Sequence, residues 1–223
     1  MGGGTQATPD RILDVAEAMF AANGYRAVSV RAITRECGVN IAAIHYHFGS
    51  KEALLEQIFA KRSAAINNAR FRLLEACRAA PGRPPMLEQI LEAYLRPSLV
   101  LPNGDAGARR FMRLRAILAH EHADMSKNLI SKHFNHVSGT FLGALMKELD
   151  HLPAKVVYWR FHFLLGAQYF TLADPGRIQI LSEGACDPAD SDTALAELVA
   201  FTAAGFRAPP SPHDALILGN VLP

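Results

Sequence analysis

Residue types that can bind duplex DNA are concentrated in a short segment between Ser29 and Lys51. An asparagine side chain can form two hydrogen bonds to adenine, and an alanine methyl group can pack on the methyl group of thymine. Small side chains at Ala42 and Ala43 would also let a helix backbone approach the base edges closely. The candidate DNA contacts are Ser29, Arg31, Asn40, Ala42, Ala43, His45, Tyr46, His47 and Lys51.

The pattern around these residues predicts two short helices joined by a sharp turn. Ser29 and Asn40 are residues that cap helix N-termini, and Gly38 between them suits a turn that needs a positive φ. The second helix would be anchored to its supporting helices by Val39, Ile44 and Phe48. A helix-turn-helix of this kind places its second helix in the major groove of DNA.

The remaining chain shows helical periodicity almost throughout, with few strand signals. It predicts an all-α protein of about nine helices, in which a three-helix DNA-binding head precedes a helical bundle for ligand binding and dimerisation. We expect the head at residues 8–52, the bundle at 53–208 and an extended tail at 209–223. The predicted helices lie at about residues 9–23, 29–37, 40–48, 50–78, 86–95, 106–120, 125–149, 154–173 and 192–206.

Charge is distributed unevenly along a chain whose formal net charge is only +2. Basic residues exceed acidic ones by four between residues 31 and 72, whereas acidic residues exceed basic ones by five from residue 174 onward. The basic segment suits DNA phosphates, and the acidic segment does not.

Other sequence features argue against a disulfide framework, a zinc finger and a membrane protein. Cys37, Cys77 and Cys186 are odd in number and contain no CxxC pair. The N-terminus has no apolar signal region, and the longest uncharged apolar run is too short to span a bilayer. We therefore expect a cytoplasmic protein with no membrane association.

A metal site or an enzyme active site in the bundle would need convergent ligands or an activated nucleophile. Five possible metal ligands form two groups in the sequence. The first group is His120, Glu121 and His122, and the second is His133 and His136. There is no HExxH motif, no pair of Glu-x-x-His motifs on two helices and no activated-serine signal. We expect no catalysis, no metal and no cofactor, with a metal-binding or enzymatic bundle as a minor alternative.

Three consecutive strings resemble the N-terminal domain of the TetR family of bacterial transcriptional regulators. They are RILDVAEAMFAANGY, SVRAITRECGV and NIAAIHYHFGSKEALL, and the match extends over about residues 11–59 almost without gaps. By this resemblance His45 and Tyr46 contact the DNA backbone, and Lys51 reaches a phosphate. Ile41 stands where many relatives carry Lys or Arg, and Val28 where many carry Thr.

The bundle is similar to that of the fatty-acid-responsive TetR regulators that repress β-oxidation genes, through FMRLRAILAHE, YWRFHFLLGAQYF and FTAAGFRAP. This similarity implies a long-chain fatty acid or acyl-CoA as effector. The guanidinium of Arg115 or Arg160 could meet a carboxylate. The residues expected to line a mostly apolar pocket are Met112, Arg115, Leu118, Phe134, Val137, Phe141, His162, Leu165 and Tyr169. The alternative is that these residues form a solid core.

The segment VVYWRFHFLLGAQYFTLA is apolar nearly all the way around, so we expect it to be buried on more than one face. One face would serve the protomer core, and the other would pair with a second copy across a twofold axis. The expected function is a homodimeric repressor that binds a pseudo-palindromic double-stranded operator and is released by a small apolar or amphipathic effector. A DNA-binding regulator without an effector is the alternative.

Overall fold

The computed structural model describes residues 9–79, 85–100, 106–173 and 176–211. Within these ranges the chain forms ten α-helices and no strand, so the all-α prediction is confirmed. The helices are α1 (Pro9–Asn23), α2 (Val30–Cys37), α3 (Ile41–Phe48), α4 (Lys51–Ala79), α5 (Leu87–Leu99), α6 (Ala106–Glu121), α7 (Ala123–Glu148), α8 (Ala154–Ala173), α9 (Arg177–Leu181) and α10 (Ser191–Arg207).

Local hydrogen bonds fix the ends of the head helices α1–α3. The Ser29 hydroxyl accepts a bond from the Ala32 N–H at 3.1 Å, which starts α2. Gly38 ends that helix in the left-handed region at φ 65°. Asn40 then starts α3, because its side-chain oxygen accepts a bond from the Ala42 N–H at 3.0 Å. The predicted caps and turn of the helix-turn-helix are therefore confirmed.

Helix α4 joins the head to the bundle. The Ser50 hydroxyl caps its N-terminus by accepting a hydrogen bond from the Ala53 N–H at 3.1 Å. At 29 residues, the helix is about 44 Å long. It packs against α1 near its start, and also against α5 and α7 of the bundle. Its fully buried apolar residues include Leu54, Leu55, Ile58, Phe59 and Leu74.

The bundle core is built from aromatic residues of α4–α8. Phe59 and Phe111 meet edge-on with ring centres 5.0 Å apart. Tyr94 contacts Phe141 at 5.0 Å and Phe161 at 5.2 Å. Helix α10 closes the bundle by packing on α5 and α8. This core is continuous with that of the head, because buried residues of α1–α3 belong to the same apolar cluster.

Two helices depart from the prediction. Helix α5 continues to Leu99 with Pro97 inside it, although we expected a loop after residue 95. Residues 177–181 form the short α9 where we expected an irregular loop, which brings the described helices to ten. The predicted tail is described only for residues 209–211, and its remainder lies outside the described residues. No helix within the described ranges has the length and apolar character needed to cross a membrane.

Candidate nucleic-acid interface

Helix α3 is anchored on one side and exposed on the other. Ile44 is completely buried and Phe48 nearly so, which fixes the helix against the rest of the head. On the opposite side, 85% of Tyr46 is exposed, and Ile41 and Ala42 are also exposed. An aromatic side chain this exposed has its hydroxyl and ring edge available to another molecule. The fixed inner side lets the outer side chains be presented in a defined orientation.

The other predicted DNA contacts surround the outer face of α3. Ser29, Arg31, Asn40, His45 and His47 are exposed, whereas Ala43 is half-buried. A ring nitrogen of His45 lies 2.9 Å from the Gly49 carbonyl oxygen, so Nδ1 is the donor and the other ring nitrogen remains available. The His47 ring meets the Tyr46 ring edge-on at 5.0 Å. Val28 is buried, so its methyl groups do not reach this surface.

Lys51 has a partner within the head that the sequence did not indicate. Its ammonium donates a hydrogen bond to the Tyr25 carbonyl oxygen at 2.6 Å and lies 4.1 Å from the centre of the Tyr25 ring. Partial burial lowers the pKa of Lys51. Only one of its three N–H donors is used by that carbonyl. A phosphate contact by Lys51 stays a prediction, and it would have to use the remaining donors.

Helix α6 contacts the head at the turn that follows α1. The Arg26 N–H donates to a carboxylate oxygen of Glu121 at 3.1 Å. The ring of His122 meets the Tyr25 ring edge-on at 5.6 Å. Gly24 has a φ of +86°, and a Cβ there would overlap the Glu121 carboxylate. These contacts join residues about a hundred positions apart, and no local sequence signal could have revealed them.

A buried ion pair connects α1 to α4 beneath the head. Glu17 is 1% exposed, and its Oε2 accepts hydrogen bonds from the Arg62 guanidinium at 2.8 Å. Burial raises the pKa of Glu17, and the Arg62 charge opposes that shift. The start of α6 lies beside this pair, since a Cβ on Gly107 would overlap the Arg62 guanidinium.

Most residues predicted to line an effector pocket lie in the bundle interior, but His162 does not. The interior residues Met112, Leu118, Phe134, Val137 and Phe141 are buried, and Arg115, Leu165 and Tyr169 are half-buried. His162 is exposed because the inward face of α8 carries Val157, Phe161 and Leu164. His162 is therefore outside the interior of the protomer, and its assignment as a pocket residue stays a prediction.

Arg160, the second candidate for a carboxylate contact, is used elsewhere. Its guanidinium donates to the carbonyl oxygens of Phe206 at 2.7 Å and Pro209 at 3.1 Å, at the end of α10. A cavity of about 510 Å³ lies between the end of α4, the start of α5 and the end of α7. Its lining residues are Arg78, Pro85, Ile90, Ala144, Lys147 and Glu148, and none is a predicted pocket residue. Among the described residues, no three His, Cys, Asp or Glu side chains converge as metal ligands.

Family models match both parts of this chain. The model of bacterial regulatory proteins of the tetR family matches residues 12–58, which contain α2 and α3. The model of the tetracyclin repressor-like C-terminal domain matches residues 92–205, about half of the chain. The chain belongs to the TetR family. It is thus a TetR-family transcriptional regulator with a helix-turn-helix, as its head sequence predicted.

Curated relatives match this TetR-family regulator over about a quarter of its length or less. The HTH-type transcriptional regulator UidR of Escherichia coli (strain K12) is 40% identical over 53 residues, which are 24% of this chain and 27% of UidR. The HTH-type transcriptional repressor KstR2 of Rhodococcus jostii (strain RHA1) is 38% identical over 47 residues, 21% of this chain and 23% of KstR2. The match therefore spans about a quarter of the length of these relatives.

Solved structures of two regulators resemble most of this chain. PfmR from Thermus thermophilus gives a TM-score of 0.62 at 19% identity, over 93% of this chain and 100% of PfmR. The fatty acid degradation regulator FadR from Bacillus halodurans gives 0.62 at 14% identity, over 89% of this chain and 97% of FadR. At these identities the likeness is one of fold, and it does not establish membership of the fatty-acid-responsive subgroup.

Proposed function

We propose that this TetR-family regulator is a repressor that binds a pseudo-palindromic operator as a homodimer. A small apolar or amphipathic effector, such as a long-chain fatty acid or acyl-CoA, binds in the bundle and releases the operator. The observation that carries the DNA-binding step is the geometry of α3. Ile44 and Phe48 hold the helix from behind, while Tyr46 projects with 85% of its surface exposed.

The exposed face of α3 has the chemistry to bind a major groove. Asn40, Ala42 and Ala43 lie at its N-terminal end, where recognition helices approach base edges. Arg31 at the start of α2 and the exposed ring of His47 are placed to contact the flanking phosphates. By resemblance to the family, the side chains that follow Ala43 on this face bind the sugar-phosphate backbone.

Dimerisation is supported by aromatic residues on the outer surface of α8 and α10. Between 54% and 71% of each side chain is exposed, a large apolar area for a protomer to leave in water. These residues, the α8–α10 face, are Tyr158, Trp159, Phe163, Phe170 and Phe201. A second copy related by a twofold axis would cover both faces at once, and Gly166 and Gly205 would allow close helix approach.

Effector release requires a connection from the bundle to the head, and two helices provide it. Helix α4 runs from the end of α3 into the bundle, and α6 lies along α1. An effector that binds a protomer arrangement in which the two heads no longer match the operator shifts the dimer away from DNA. A difference in affinity of about 100-fold between the two arrangements, or about 2.7 kcal/mol, suffices for a substantial change in occupancy.

The DNA-binding step is tested by selecting operators from a random library of DNA duplexes with the full-length protein. We expect enrichment of an inverted repeat whose half-sites are separated by one helical turn, about 34–36 Å, or a multiple of it. Affinity for the enriched duplex is then measured by fluorescence anisotropy. Tyr46→Ala should weaken binding by about 5-fold or more, in line with about 1–3 kcal/mol for a lost contact.

Ile180→Ala is the matched control, because Ile180 is 79% exposed but lies on α9, outside the head. It should leave the affinity unchanged. Failure to enrich any duplex at low salt, or equal affinities for wild type and Tyr46→Ala, would contradict the proposal.

A further inference from the structure

Two arginines place guanidinium nitrogens in the interior of the bundle. Arg70 on α4 is 3% exposed. Its Nε donates to the Tyr94 carbonyl oxygen at 2.8 Å, and a terminal nitrogen donates to the Ser98 hydroxyl at 3.0 Å. The guanidinium carbon lies 3.8 Å from the centre of the Tyr94 ring. These partners are neutral, so they satisfy hydrogen bonds but leave the positive charge without a counter-charge.

The hydrogen-bond donors of Arg115, on α6, have fewer partners than those of Arg70. Its guanidinium carbon lies 4.7 Å from the centre of the Phe134 ring, and one nitrogen makes a weak contact with the Met112 sulfur at 3.5 Å. The buried Nε of Arg115 has no hydrogen-bond partner among the described residues. The same is true of the buried hydroxyl of Tyr169 on α8.

The positive charges of Arg70 and Arg115 also repel each other. Burial lowers the pKa of both arginines, and repulsion from Arg70 lowers the pKa of Arg115 further. Within the described part of the chain, no carboxylate is among the groups that affect the pKa of Arg115. Arg62 differs from these two arginines, because its guanidinium is paired with the buried carboxylate of Glu17. The described residues around Arg70 and Arg115 supply no carboxylate, so an anion that enters from outside would balance these two charges.

We propose that Arg115 and Tyr169, with Arg70 behind them, bind the carboxylate of an amphipathic organic acid. A carboxylate fits because its two oxygens accept parallel hydrogen bonds from a guanidinium, and its charge compensates the buried cations. The apolar tail lies among Met112, Phe134 and Leu165. This inference rests on the proposed function, since it names the chemical class of its effector. It favours a free acid over an acyl-CoA, in which a thioester replaces the carboxylate.

Calorimetric titration of the full-length protein tests the proposal with ligands that differ only in their head group. Laurate carries a carboxylate, dodecanol has the same tail without charge, and lauroyl-CoA carries a thioester. Octanoate, oleate and 3-phenylpropionate extend the range of tails. We expect at least one carboxylate to bind about 10-fold or more tightly than its matched alcohol, since a charge-assisted bond is worth roughly twice a neutral one.

Arg115→Gln should weaken carboxylate binding by about 10- to 100-fold and leave alcohol binding unchanged, as expected for loss of a charge-assisted pair. The matched control is Arg113→Gln, on the same helix but exposed, which should bind like the wild type. Without ligand, Arg115→Gln should melt at the same or a higher temperature than the wild type, because it removes a buried charge with no counter-charge. A residue with a purely structural role would give a lower melting temperature.

Three results would each overturn the inference: equal affinity for carboxylate and alcohol, equal loss in Arg115→Gln and Arg113→Gln, or no binding of any carboxylate up to about 1 mM. Operator binding by the unliganded protein is measured separately. If the protein binds carboxylates but selects no duplex, the carboxylate site stands and the proposed function is contradicted. If it binds an operator but no carboxylate, only the present inference is contradicted.

Discussion

Lys51 has a structural role as well as its predicted role at the DNA surface. Its ammonium bonds the Tyr25 carbonyl and lies over the Tyr25 ring, which holds the start of α4 against the turn after α1. Tyr25 is itself fixed, because its hydroxyl donates to Glu52 at 3.1 Å. Tyr46 has no comparable contact among the described residues of the head, apart from the neighbouring His47 ring. The two residues should therefore respond differently to truncation.

We expect Lys51→Ala to reduce both DNA affinity and stability. The loss of its bond to Tyr25 should lower the free energy of unfolding by about 1 kcal/mol. Loss of one phosphate contact should reduce the slope of log affinity against log salt by about 1. Tyr46→Ala is the comparison, and it should leave the urea midpoint unchanged. A Lys51→Ala protein with a wild-type salt slope would restrict Lys51 to its structural role.

The buried pair Glu17–Arg62 should make stability depend on pH. Burial raises the folded-state pKa of Glu17 above its usual value, so the folded protein holds this proton more tightly than the unfolded chain. The stabilisation that comes from protonated Glu17 is complete below the unfolded pKa, and it is lost as pH rises through the folded pKa. At neutral pH the ionised carboxylate depends on Arg62.

Arg62→Met should destabilise the protein by about 3–5 kcal/mol near pH 7.5, because it leaves a buried carboxylate without its partner. Without the Arg62 charge the pKa of Glu17 should rise further, so Glu17 can take up a proton near pH 5. The loss of stability should therefore be smaller at that pH. Urea unfolding at both pH values measures the effect. Adding Glu17→Leu to Arg62→Met should recover part of the loss near neutral pH. An equal loss at both pH values would contradict this reading of the pair.

Among the elements, α6 is placed to carry a change from the bundle to the head. Its first turn lies beside the Glu17–Arg62 pair, and its last residue, Glu121, accepts the Arg26 N–H. Arg115 lies between these two ends and faces the bundle interior. A ligand bound at Arg115 would therefore act on a helix that contacts the head at both ends, in addition to the route through α4.

Glu121→Ala should weaken the effect of an effector on DNA binding. The Arg26 N–H loses its acceptor, so amide exchange at residues 24–26 should become faster. The ratio of operator dissociation constants with and without effector should fall about 5-fold or more, within the usual range of allosteric coupling. Glu75→Ala on the exposed surface of α4 is the control. An unchanged ratio in a variant with faster exchange would show that α6 does not transmit the signal.

The elements that the sequence predicted correctly are those specified by neighbouring residues. Ser29, Gly38 and Asn40 set the helix-turn-helix through bonds and backbone preferences within a few positions. The end of α5 was predicted wrongly because distant contacts override the local effect of Pro97. Leu99 is buried, and the buried hydroxyl of Ser98 binds Arg70, 28 positions away. Packing of this region in the core keeps the chain helical beyond the proline.

The candidate effector site was predictable in composition but not in orientation. Arg115, Phe134 and Tyr169 lie in the bundle, as the sequence predicted. His162 does not, because α8 is apolar on all sides and its pattern cannot identify the inward face. The burial of Arg70 was not predicted, since the sequence of a long helix does not distinguish a buried arginine from one on the surface. Only the packing of α4 against α5 reveals that its guanidinium is enclosed.

At the scale of the whole molecule, the α8–α10 face and the head are complementary parts of one proposed assembly. A single short recognition helix contacts few base pairs, so a protomer alone binds DNA weakly. Two heads held together bind as one unit, since attachment of the first raises the effective concentration of the second. The aromatic residues of the α8–α10 face are the feature of this chain that would hold the heads at a fixed separation.

Phe170→Asp should convert the dimer to a monomer, because it places a charge within an apolar contact that a twofold axis repeats. Light scattering after gel filtration measures the mass, and the emission of Trp159, the single tryptophan, should shift to longer wavelength as that side chain becomes exposed to water. Ile180→Asp is the control, because Ile180 is 79% exposed on α9 and lies outside this face.

The monomeric variant should also lose operator affinity, although its head is unaltered. Without the second head, affinity for the full operator should fall about 100-fold or more, because the gain from linking two binding units reaches about 10²–10⁴. Affinity for a half-site duplex should remain close to that of the wild type, which separates loss of linkage from damage to the head. A monomer that binds the full operator as tightly as the wild type would show that one head is sufficient, and the twofold arrangement would have to be abandoned.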